Sequence, residues 1–135
     1  MCKIGDIIAV KKFIGDGNNF VNLHYFIVIS DDKGCIGGLS FDIVSVVMSS
    51  FKNNSHKIKK LKHIENIEIN ASDGTIGRDN LKNGYIKVDQ LFYFNKKKTK
   101  YFVVGQVDGD VLLKIIEHLN YLDSQNLLKQ NIYNL

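Results

Sequence analysis

Four short stretches of the chain carry side chains that can do chemistry on a phosphate. The first is LHYFIVIS, residues 23–30, which sets His24 at the start of an apolar run. Histidine is the side chain whose ordinary pKa falls between about pH 5 and 8, so it can serve as acid, base or ligand; the plainer role is to cap the end of a strand. The second is Ser49-Ser50, closing the apolar run FDIVSVVM. Two hydroxyls and two backbone amides are neutral donors that suit an anion, and otherwise they form a solvated strand end. The third is Lys87-Val88-Asp89. Its first and third members point to one face of a strand, either as an ordinary surface pair worth under about 1 kcal/mol or as a cation and a carboxylate aimed at one site. The fourth is FKNNSHKIKKLK, residues 51–62, where Lys52, His56, Lys57, Lys59, Lys60 and Lys62 crowd together. Such a run is either a solvated loop or edge-strand guard, or a field that steers a polyanion toward the serines just before it.

The elements that must position these residues are short strands first and a helix last. Residues 4–10 read as a first strand, and residues 11–23 as a long glycine- and asparagine-rich connection in which Phe13 and Phe20 anchor to the core or, less in keeping with their type, stack on a ligand. Residues 26–29, bounded by turn formers, read as a central buried strand with His24 at its mouth. Further strands are expected over 41–48, 63–69, 85–94 and 101–107, with a basic turn at 96–98. Asp110 is placed to cap a helix through about Leu122, with Val111, Ile115, Leu119 and Leu122 on one stripe. A second helical stretch is expected over 126–135, where Leu127, Leu128, Ile132 and Leu135 can pack. Strands first and helix last predict a mainly β fold of the α+β type, a small bent barrel closed by a terminal helix.

Composition narrows the partners. At 135 residues the chain is one domain over residues 1–135, too small for two ordinary cores. A hydrophobic share of 44% and a charged share of 24% fit a soluble globular protein, and no apolar run approaches a membrane span. The start, MCKIGD, has no apolar signal region, which places the protein in the cytoplasm. Cys2 and Cys35 have no metal-ligand spacing and read as small buried side chains rather than a disulfide. The net charge of +4 makes polyanions suitable partners, and Arg78 is the one exception among 18 positive side chains that are otherwise lysine.

Taken in order, these motifs resemble the MazF/PemK (Kid-like) toxins of type II toxin–antitoxin systems. KIGDI resembles the family's opening Gly-Asp/Glu-Ile, and LHYFIVIS its second strand, with Tyr25 where a proline is usual. VVMSSF resembles its strand ending in Thr-Ser, and KVDQ its Arg-x-Asp-Gln. VVGQVDGDVLLKIIEHLNYL resembles its last strand and C-terminal helix. The resemblance implies an SH3-like antiparallel β-barrel with a C-terminal helix, a homodimer, and a cognate antitoxin as protein partner. It also implies cleavage of single-stranded RNA with no metal or other cofactor. On that reading His24, Ser49, Ser50, Lys87 and Asp89 are catalytic, and Lys52, Lys57, Lys59, Lys60 and Arg78 bind RNA. A ribose 2′-hydroxyl attacks its own phosphate, leaving a 2′,3′-cyclic phosphate and a 5′-hydroxyl, with His24 and Asp89 sharing proton transfer and Lys87 and the serines stabilising charge. Lysine in place of arginine loses a two-pronged phosphate contact, and residues 51–73 are longer than is usual in the family. Two rivals are a gyrase-poisoning toxin on the same barrel that grips a protein, and a plain RNA-binding barrel without an acid–base pair.

Overall fold

Buried alternation on both faces of the central strands sets the architecture. The computed structural model describes residues 2–15, 17 and 19–135. In chain order the described residues form β1 (Asp6–Ile14), β2 (Phe20–Ser30), β3 (Gly34–Ile36), β4 (Leu39–Phe41), β5 (Ile43–Ser50), α1 (Asn54–Leu61), β6 (Asn66–Ile69), β7 (Gly74–Ile76), β8 (Asp79–Asn80), β9 (Gly84–Phe94), β10 (Tyr101–Val107), α2 (Gly109–Ser124) and β11 (Lys129–Asn131). The main sheet runs β11-β9-β5-β2-β1-β10-β7-β8, with β6 also on β9, and β3 and β4 form a separate hairpin. Every pairing is antiparallel except that of β11 with β9. The fold is therefore mainly antiparallel β with two α-helices. Among the described residues no ladder joins β11 to β8, so the hydrogen-bonded sheet is open at its ends.

Successive residues feed two separate cores. Ile7, Ile27, Val46, Ile86 and Val88 pack with Val111, Ile115 and Leu122 of α2. Ile8, Val10, Phe26, Val28, Val47 and Phe92 point the other way, onto Phe13 and Phe94. A strand buried on both faces reads as an unbroken apolar run, which is why β2 and β5 look as they do in sequence. The second core is aromatic. Phe26 meets Phe13, Phe92 and Phe94 edge-on, with ring centroids 4.9, 5.2 and 5.2 Å apart, the arrangement that ring quadrupoles favour.

Several expectations are corrected. Residues 11–23 are not a long connection: β1 continues to Ile14 and β2 starts at Phe20, with Lys12 opposite Asn22 and Phe13 opposite Val21. Burial of Phe13 beneath Phe26 and Phe92 outweighs the loop-like composition, leaving only a tip closed by Gly15 N–H on the Asn19 carbonyl. Residues 16 and 18 of that tip lie outside the described residues. His24 is accordingly inside a strand rather than at its start, and Phe20 is 78% exposed rather than anchored. Residues 51–62 are neither loop nor edge strand but contain α1, started by Asn53, whose side chain accepts the His56 N–H at 2.8 Å. The strand expected over 63–69 is confined to β6. The helix cap is Asp108, not Asp110, which sits in the first turn. Residues 126–135 hold β11 rather than a helix, because a slot remains beside Gln90, Leu91 and Phe92 on β9. Cys2 is buried as expected, whereas Cys35 is exposed; both are free.

Candidate functional site

His24 is positioned by an asymmetry in the ladders on its two sides. On one side it pairs with Val10 of β1; on the other, the pairing of β2 with β5 ends one residue earlier, at Tyr25 and Met48. The strand is thus held while one flank of His24 lies open. Its ring packs edge-on to Phe13, centroids 5.8 Å apart at 83°. Its Nδ1 lies 3.1 Å from the Asn22 carbonyl oxygen. A carbonyl only accepts, so Nδ1 carries the hydrogen and donates, which leaves the Nε2 lone pair of the neutral ring free to take a proton.

Ser49 and Ser50 end β5 opposite Tyr85 and Gly84. Gly84 is required there, because a Cβ would collide with the Ser49 carbonyl oxygen. His24, Ser49 and Ser50 line a cavity of about 480 Å³ that Asp79, Asn80, Lys82 and Asn83 also line. Asp79 and Lys82 bring a carboxylate and a cation that the sequence reading missed. They lie in TIGRDNLKNG, where no spacing or apolar pattern singles them out; only the fold of β7 and β8 against β10 carries this segment to the serines.

Lys87 and Asp89 do not line the cavity. Lys87 faces Val47, two residues along β9 from the pair of Ser49 and Tyr85. That makes it a diagonal neighbour of Ser49 on the same sheet face, roughly 7–8 Å between backbones and within reach of a lysine stem. Asp89 lies farther off, in a bulge. Val46 pairs with Leu91 and Val47 with Lys87, so residues 88–90 have no partner on β5. From His24 it is two strand spacings across, roughly 10 Å, and four residues along, about 13 Å. Its neighbours are Glu65 and Gln90, whose Nε2 donates to it at 3.4 Å. Burial, then the Glu65 charge, push its carboxyl above the usual aspartate range. The five expected catalytic residues therefore divide into a cavity trio, an adjoining lysine and a remote carboxylate.

Of the expected RNA-binding residues, Lys52, Lys57, Lys59 and Lys60 gather on and before α1, directly after the serines. Arg78 is exposed in the two-residue turn between β7 and β8 and does not line the cavity. No group of three or more metal-ligating side chains comes together among the described residues. No helix among them is long and apolar enough to cross a membrane. Set against known proteins, the chain matches no family model and is similar to no curated protein.

Proposed function

We propose that this protein is a toxin-type endoribonuclease that cuts single-stranded RNA at the cavity of His24, Ser49 and Ser50. One observation carries the reading: His24, whose Nε2 is left free as an acceptor, and the two serines that end β5 line the same open cavity. His24 Nε2 takes the proton of the ribose 2′-hydroxyl as O2′ attacks phosphorus. The serine hydroxyls and amides, with the ammonium groups of Lys82 and Lys87 at the margins, hold the phosphoryl oxygens as their charge grows. The bond to O5′ breaks, the leaving oxygen takes a proton from water at the open mouth, and a 2′,3′-cyclic phosphate remains. In this scheme Asp79, rather than Asp89, is the carboxylate near the reacting groups.

The finer fold reading, an SH3-like barrel, is supported by an aromatic core built from β9, β5, β2, β1 and the N-terminus, to which, among the described residues, neither α1 nor α2 contributes. The toxin reading further supposes a homodimer and an acidic antitoxin segment docked over the lysines of residues 52–62, which suits the net charge of +4. A non-catalytic RNA-binding barrel is favoured by one observation, the remoteness of Asp89 from His24. Incubating the pure protein with mixed RNA in EDTA separates the two: new 2′,3′-cyclic phosphate ends support the enzyme, and intact RNA supports the binder.

A further inference from the structure

We propose that Phe51, His56 and Lys57 form a nucleobase subsite that receives the base next to the phosphate held at Ser49 and Ser50. The subsite deepens the ribonuclease reading and rests on it only for where the strand continues.

Local structure builds it. Phe51 follows the last residue of β5, and alternation puts it on the face of Ser49, over Tyr85. The two rings stack, centroids 5.3 Å apart at 25°. Tyr85 is buried, so the outer face of the stack belongs to Phe51. The Asn53 cap turns the chain into α1, and the first turn brings His56 edge-on, 6.4 Å from Phe51 and 6.1 Å from Tyr85. His56 Nδ1 accepts the Lys52 N–H at 3.1 Å, so in the neutral ring Nε2 carries the hydrogen and can donate to a base edge. Burial, then Lys60, Lys52 and Lys59, hold this imidazole below the usual histidine range, in keeping with a neutral donor.

Lys57 supplies the cation. Its Nζ lies 5.8 Å from the Phe51 centroid, over the ring, and 2.9 Å from Glu68. The pair with Glu68 is partly exposed and so contributes little, and a phosphate can draw the ammonium away and uncover the ring. A flat aromatic face with a neutral donor at its edge and a cation above it is suited to a stacked base. It discriminates little among bases, because every base has a π-face.

The chain has no tryptophan, so Phe51→Trp makes a single fluorescent reporter that keeps a ring in place. The probes are a mixed-sequence 2′-O-methyl octanucleotide, which lacks the attacking hydroxyl, and an abasic sugar-phosphate strand of the same length. The expected result is saturable quenching by the octanucleotide and none by the abasic strand. Phe51→Ala and Phe51→Leu, checked for native circular dichroism, should weaken octanucleotide binding about tenfold and leave abasic binding unchanged. Equal quenching by both strands, or by neither, overturns the subsite. Cleavage of RNA without quenching sinks the subsite and spares the ribonuclease reading; quenching without cleavage by the wild-type protein does the reverse.

Discussion

Nδ1 of His24 donates to the carbonyl oxygen of Asn22, two residues back along the same strand, over 3.1 Å. The bond fixes both ring orientation and tautomer, since only the Nδ1–H form can donate to a carbonyl. Nitrogen-15 NMR on histidine-labelled protein at alkaline pH should therefore show His24 with its hydrogen on Nδ1 and an unprotonated Nε2. The opposite tautomer would leave no free acceptor for the 2′-hydroxyl.

Gly84 should be intolerant of substitution for a reason tied to the site. A methyl group there meets the Ser49 carbonyl oxygen, so Gly84→Ala must push β9 away from β5 where the serines sit. Urea denaturation should show a loss of about 1–3 kcal/mol, with RNA cleavage reduced in the protein that remains folded. Gly109→Ala is the control, because a Cβ at the start of α2 meets nothing within 4 Å; it should be neutral or slightly stabilising.

Asp89 gives a pH-dependent test. Burial and the Glu65 charge raise its pKa in the folded protein above the unfolded value. A carboxyl raised in this way contributes stability that is fully present below its unfolded pKa and is lost as pH rises through the folded pKa. Asp89→Asn should therefore raise Tm relative to wild type at pH 7, and the gain should shrink as pH falls through the raised folded pKa and vanish below about pH 4. Thermal denaturation across pH checks this, and a variant less stable than wild type at pH 7 would contradict it.

Asn53 tests the independence of α1. Its side chain satisfies the His56 N–H at the start of an eight-residue helix with no buried residue, so the cap is one of the few contacts that hold its first turn. Asn53→Ala should cost that helix about 1 kcal/mol. Hydrogen exchange should quicken at residues 56–61 and stay unchanged in β2 and β5.

The long strands were legible where burial on both faces made the sequence itself apolar, as in residues 26–29, 43–47 and 91–94. Misreadings fall where tertiary contacts overrule local composition. Phe13 draws a glycine- and asparagine-rich stretch into a hairpin because its ring completes the aromatic core. Residues 129–131 become a strand because β9 offers an open edge, although the leucine spacing around them is helical. In residues 54–61 the capping asparagine was the readable signal, hidden among lysines that suggested a loop. At the site, His24, Ser49 and Ser50 come together as their strands require. Asp79 and Lys82 could not be read in advance, since two short strands carry them there. Asp89 is displaced by a bulge that period-two counting cannot see.

In the proposed reaction His24 takes the proton of the attacking 2′-hydroxyl. The direct measurement is the initial rate of cleavage of a mixed-sequence RNA in EDTA by wild type, by His24→Gln and, as a control, by His63→Gln, whose ring pairs with Glu65 away from the cavity. His24→Gln should be slower by at least about 10²-fold with unchanged Tm and RNA affinity, while His63→Gln cleaves like wild type. Undiminished cleavage by His24→Gln, or no cleavage by wild type, would contradict the account.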